Sequence, residues 1–226
     1  NTPADFRRPK LLADHVYEQL KALIVSNHIR PGEALGEERL AAQWGISRTP
    51  LRTALARLER DGLVRMAPHR GCVATDIHPQ DVRDLFQARE ALEVALVQWI
   101  TPLIGQAQLD EFAQLFATID DDLARGHYDS YIPSDARFHA AILENTTNTV
   151  FIRMLGQLNE QITRIRNYSH SQPGEHMREA HAEHRAILAA LQARDADAAA
   201  RAMREHLRNV TRRAIALLPT THDGGA

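Results

Sequence analysis

The chain is nearly free of cysteine, poor in aromatic residues and without any long apolar run. Cys72 is the one thiol among 226 residues, which excludes an intrachain disulfide framework and fits a reducing compartment. No stretch approaches the ~18 consecutive apolar residues of a membrane-spanning helix. The opening Asn1-Thr-Pro-Ala-Asp-Phe-Arg-Arg8 has no apolar segment of the signal-peptide kind. A cytoplasmic protein away from membranes is therefore expected. A dominant charge is missing as well: 27 Lys and Arg stand against 29 Asp and Glu, for a net charge of −2. The balance is uneven along the chain, with 12 basic against 9 acidic side chains in residues 1–76 and 15 against 20 in the remainder. That mild bias puts any attraction for phosphate in the first third, through local clusters rather than a whole-molecule field.

What is present is ordinary globular material, 44% hydrophobic and 25% charged, in a length that suits two domains. The stretch Gly45 to Val64 reads as a tight turn, a capped helix and an exit toward a hairpin. Ser47 is expected to cap the helix by accepting a free backbone N–H, and Pro50 is tolerated in a first turn whose amides lack intrahelical partners. Leu51, Ala54, Leu55 and Leu58 then share one side, while Arg48, Thr49, Arg52, Thr53 and Arg57 occupy the other. Upstream lie an amphipathic run from Val16 to Ile24, a Pro31-Gly32 break and a short helix from Glu37 to Trp44. Two short helices meeting at a glycine, the second offering Arg and Thr, make a helix-turn-helix. Leu63 to Ala67 and Cys72 to Ala74 flank Pro68-His-Arg-Gly71, as in a two-stranded wing with a basic tip. An isolated surface arginine such as Arg57, Arg60 or Arg65 reads as a solvated charge, but Arg48 and Arg52 sit where such a helix meets base edges.

The pattern Pro31-Gly-Glu-x-Leu35, Leu40-Ala-x-x-Trp-Gly-Ile-Ser-Arg-Thr-Pro-Leu-Arg52 and Asp61-Gly-Leu-Val64 resembles the winged helix of the GntR family of bacterial transcription regulators. The resemblance runs from about Leu11 to Asp76. It implies a homodimer on a short palindromic operator of double-stranded DNA, contacted by Ser47, Arg48, Thr49, Pro50, Arg52, Arg70 and Gly71. Glu38 stands where some relatives have an arginine that reads a base.

Beyond Asp76-Ile-His-Pro-Gln80 the chain turns to long stretches rich in Ala, Leu, Glu, Gln and Arg. Pro79 and Asp81 suit a helix start, and helices are expected from there and near 106–125, 128–144, 148–169, 174–193 and 195–217. Four ionisable residues fall on apolar faces. Asp135 and His139 are four apart beside Phe138 and Ile142. His184 lies with Ile187, Leu188 and Leu191, and His206 with Met203 and Val210. One buried imidazole is satisfied by a hydrogen bond or two. Three with a carboxylate are satisfied either by such bonds or by a shared cation inside a helical bundle. His181, three residues before His184, is a reserve candidate that reads first as a partly exposed helix histidine. Glu144 and Glu183 read as surface charges.

Asp135-Ala-Arg-Phe-His139, Glu183-His184-Arg-Ala-Ile-Leu and Ala202-Met-Arg-Glu-His206-Leu, in that order, resemble the FCD type of effector domain that follows many GntR winged helices. The resemblance extends from about Pro79 to Leu217. It implies a divalent metal, zinc or nickel in the first place, held by Asp135, His139, His184 and His206, and a small carboxylate effector bound with its help. It also suggests that Arg89 faces the cavity and engages the acid; the competing reading is an ion pair with Glu93.

The expectation is a mainly α protein: an N-terminal arm over 1–10, a winged helix-turn-helix over 11–76, a linker over 77–80, an effector and dimerisation bundle of about six helices over 81–218, and a tail over 219–226. Its function is that of a ligand-responsive repressor, without catalytic residues. Two other readings remain beside it: a helical metalloenzyme with a DNA-binding tether, and a DNA-binding protein whose helical half only dimerises. Against the enzyme stand the absence of HExxH, of a nucleophile elbow and of an evident general base.

Overall fold

The computed structural model describes residues 7–170 and 174–218; the tail over 219–226 and most of the arm lie outside the described residues. The chain divides into two compact units, Asn1–Ile77 and His78–Ala226. No described helix is long and apolar enough to cross a membrane.

The first unit holds α1 (Arg7–Val25), α2 (Glu37–Trp44), α3 (Arg48–Arg60), β1 (Val64–Ala67) and β2 (Gly71–Ala74). Helix α1 begins within the span assigned to the arm. Its apolar face, with Val16, Leu20 and Ile24, packs on Leu51, Leu55 and Leu58 of α3, the side chains that the 3.6-residue period places together. Gly45 closes α2 in the left-handed region at φ 63°, where a side chain would be strained, and its N–H reaches back to the carbonyls of Ala41 and Ala42. Ser47 occupies the cap position of α3, but its side chain makes no capping hydrogen bond, contrary to expectation. The wing is antiparallel, pairing Val64 with Ala74 and Ala67 with Gly71. Its turn places His69 at φ 59°.

The second unit is all helical: α4 (Pro79–Ile100), α5 (Gln106–Ala124), α6 (Tyr131–Glu144), α7 (Thr149–His170), α8 (Glu175–Gln192) and α9 (Ala196–Leu217). Pro79 opens α4 where its missing N–H costs nothing. Asp195 caps α9 by accepting from Ala198 N at 2.8 Å. Helix α9 lies against α4 and α8, and the core between the helices is filled by Phe112, Phe116, Phe138, Ile100, Leu191 and Met203. Phe138 meets Phe112 and Phe116 at centroid distances of 5.1 Å. These rings form an apolar floor beneath the polar cluster described next.

Candidate DNA-reading face and metal centre

Helix α3 presents Ser47, Arg48, Thr49 and Arg52 to solvent, whereas Pro50 is buried and so lies off that exposed face. Both arginines are already engaged by α2. Arg48 Nη2 donates to Glu38 Oε1 at 2.6 Å, and Arg52 Nε donates to Glu37 Oε2 at 2.8 Å. No local pattern marks these pairs, because the partners lie 10 and 15 residues apart and meet only when α2 packs across α3. At the wing, Arg70 is exposed and its Nη2 donates to the Gly32 carbonyl at 3.0 Å; Gly71 is exposed beside it. Arg57 is not a solvated charge: it is paired with Asp14 and lies 3.9 Å over the Tyr17 ring. Arg65 likewise pairs with Asp76, at 3.1 Å.

In the helical unit, Asp135 and His139 of α6, His184 of α8 and His206 of α9 bring one ligand atom each to within 4.8 Å of one another. His184 and His206 are 1% exposed and Asp135 6%. The three Nε2 atoms point inward. That of His206 lies 3.2 Å from that of His184 and 3.3 Å from that of His139. Asp135 Oδ1 is 3.3 Å from His184 Nε2 and 3.7 Å from His139 Nε2.

The outward nitrogens decide what this arrangement can hold. His139 Nδ1 lies 2.7 Å from Glu93 Oε2, and His206 Nδ1 lies 2.9 Å from Glu183 Oε2. Burial would raise both carboxyls. For Glu93 the charge and hydrogen bonds of Arg89 and His139 more than offset it and hold the group well below the usual carboxylate range. For Glu183 the hydrogen bonds from His206, Arg213 and Asn209 do the same and hold it at about 2. Both are therefore ionised acceptors, and each makes the facing Nδ1 the donor. Two of the imidazoles are held neutral: burial lowers His139 to about 4 against the opposing pull of Glu93, and burial with the neighbouring His206 keeps His184 well below its ordinary value.

A neutral ring that donates from Nδ1 offers a bare lone pair at Nε2. The Nε2 atoms of His139 and His206 face each other at 3.3 Å, and their lone pairs repel when each ring gives its one proton to the carboxylate behind it. A cation between them resolves that repulsion, and ligand atoms about 2.0–2.1 Å from a common tetrahedral ion sit about 3.3 Å apart. The donor set therefore fits a borderline divalent metal, with carboxylates behind two of its imidazoles as metal-bound histidines require.

Sequence reasoning missed the supporting residues. Glu183, read as a surface charge, is half-buried behind His206 and receives Arg213 and Asn209 at 2.6 Å each. Glu144 is a surface charge, paired with Arg137 at 3.0 Å. Arg166 holds Asp135 through Oδ2 and so leaves Oδ1 to the histidines. Arg89 makes its ion pair with Glu93, at 2.6 Å, and also lines the cavity beside the cluster together with Asp135, Arg166, His206 and Arg213. The ion pair with Glu93 is thus present, on a side chain that also faces a cavity. His181 stands outside the cluster: it is buried rather than partly exposed, and its Nε2 faces Asp120 at 2.8 Å. The only signal for the missed residues was their helical phase, since Glu93 lies four residues from Arg89 and Glu183 next to His184.

Comparison with known proteins agrees with this division of the chain. Residues 12–73 match the model described as bacterial regulatory proteins, gntR family, and residues 84–209 match the FCD domain. The chain is 28% identical over 198 residues to the HTH-type transcriptional repressor RspR of Escherichia coli K12, covering 87% of this chain and 86% of the relative. It is 29% identical to the Uxu operon transcriptional regulator of the same organism, covering 87% and 84%. Among solved structures, a regulator from Rhodococcus sp. RHA1 superposes with a TM-score of 0.71 at 22% identity over 90% of this chain and 97% of that one. E. coli McbR/YncC does so with a TM-score of 0.69 at 23% identity, over 87% and 93%.

Proposed function

This chain belongs to the GntR family of bacterial transcription regulators, with an FCD domain behind its DNA-binding winged helix, and on that premise we propose that it is a metal-dependent repressor released or set by a small carboxylate. Family membership sets aside the metalloenzyme reading. The observation that carries the proposal is the meeting of three imidazole Nε2 atoms and one carboxylate oxygen in an apolar core.

Charge accounting favours an acid as the signal. Around the cluster, the carboxylates of Glu93, Asp135 and Glu183 are each paired with one guanidinium, of Arg89, Arg166 and Arg213. Those three pairs balance one another. A divalent ion adds two positive charges in a low-dielectric site, and a carboxylate entering the adjoining cavity offsets one of them. The metal would be held by Asp135, His139, His184 and His206, and would supply a Lewis-acidic site for a carboxylate oxygen. Glu93 and Glu183 hold the rings in register, and Arg89 and Arg166 offer guanidinium edges to the acid. Zinc and nickel both suit such ligands.

As a homodimer, the protein would set two α3 helices in successive major grooves, with Arg48 and Arg52 at base edges and Arg70 at the wing. Effector binding changes DNA affinity only by its preference for one arrangement of the dimer. The test is metal analysis and operator binding on one preparation. Near one equivalent of divalent metal per chain is expected, together with loss of operator-specific binding in the Arg48→Ala, Arg52→Ala double variant. Less than about a tenth of an equivalent after mild purification would remove the metal; unchanged specific binding would remove the reading helix.

A further inference from the structure

A second cavity reaches the same cluster, in the trough between α4, α6 and α7. At about 390 Å³ it dwarfs the first, at about 40 Å³, and it falls in the size range of small-molecule sites. Its three walls change character in the same sense. Along α7 the lining runs from Arg166 through Ile162 to Leu155 and Ile152; along α4 from Arg89 to Leu96; along α6 from His139 to Leu143. One end therefore carries paired charges, Arg89 with Glu93 and Arg166 with Asp135, and touches His139 of the cluster, whereas the other is aliphatic.

Two features of α7 border this trough. Gly156 lies in mid-helix, where glycine costs stability relative to alanine, yet a Cβ there would meet no atom within 4 Å. Nothing in the packing of the described residues requires glycine at that position. Asn159 and Thr163 line the middle of the trough, and among the described residues neither side chain has a hydrogen-bond partner.

We infer that the acid sensed by this protein carries an apolar tail, a monocarboxylate with a chain or ring of about six to ten carbons, since Arg166 to Gly156 spans about 15 Å of helix. The inference rests on the proposal that the metal site takes a carboxylate. The head would lie at Arg89, Arg166 and the His139 side of the cluster, and the tail along Leu96, Leu143, Leu155 and Ile152. A polyhydroxylated acid fits less well, because only Asn159 and Thr163 could take its hydroxyls and those further along would face Leu96, Leu143, Leu155 and Ile152 without partners.

The test uses the full-length, zinc-loaded protein and measures Kd by titration calorimetry for acetate, butanoate, octanoate and D-gluconate. Each buried methylene tightens binding by up to about fourfold, so octanoate is expected to bind at least tenfold tighter than acetate, and gluconate no tighter than acetate. The variant Gly156→Leu fills open space with a better helix former and is expected to fold, keep its zinc and its acetate affinity, and lose the octanoate gain. Equal affinities for acetate and octanoate, tightest binding of gluconate, or an octanoate gain that survives in Gly156→Leu would each overturn the tail. If none of the four acids binds, the carboxylate reading of the site fails and takes this inference with it.

Discussion

The Nδ1 atom of His206 lies 2.9 Å from Glu183, and its Nε2 lies 3.2 Å from that of His184, so one imidazole joins a half-buried carboxylate to the centre of the cluster. The carboxylate fixes which nitrogen carries the proton, and thereby which one is free to ligate.

Glu183→Gln follows directly from this geometry. The amide keeps the shape but offers His206 a weaker, uncharged acceptor, and metal affinity is expected to fall by about 10- to 100-fold. Competition with a chromophoric chelator measures it. An unchanged affinity would mean that Glu183 does not set the ring.

Glu38 is expected to act on DNA in the opposite sense. Its carboxylate neutralises Arg48 on the exposed face of α3, so Glu38→Ala should tighten binding to any duplex, with a steeper salt dependence by about one unit of slope. The stability change should stay within about 1 kcal/mol, because the pair is exposed. Salt titrations of binding to an unrelated duplex give the answer, and a weaker variant would contradict the masking role.

High pH should loosen the winged helix. Burial pushes the Cys72 thiol up to about 11, and burial with the hydrogen bond to Asp61 pushes Tyr17 up to about 12. The unfolded chain gives up these protons first, so between about pH 9 and 12 the folded state binds more protons and stability falls as pH rises. Melting temperature is expected to drop between pH 8.5 and 10.5. At pH 8, iodoacetamide should label Cys72 at least about a hundredfold more slowly than in the urea-unfolded chain; comparable rates would show an accessible thiolate.

Gly45→Ala tests the turn. Open space surrounds the position, so the cost comes from φ 63° alone, and about 1 kcal/mol is expected. Denaturant unfolding reads it, and a neutral result would show that the turn relaxes without strain.

The helices, the turn and the residues that share a face could be read from the order of the amino acids. Helical period put Leu51, Leu55 and Leu58 on the core side of α3, and Asp135 with His139 on one inward face, because covalent geometry repeats every 3.6 residues wherever the helix later packs. Turn chemistry marked Gly45 and the wing for the same local reason. Which faces meet depends on how the helices pack. Glu37 and Glu38 reach Arg52 and Arg48, Glu93 stands behind His139, Glu183 behind His206, and Arg166 behind Asp135. Each of these contacts joins residues on different helices, and no local period records a distance between helices. The four cluster residues were legible because each sits oddly on an apolar face; their supports were not, since a glutamate or arginine at a helix edge looks the same in sequence whether it meets water or a buried imidazole.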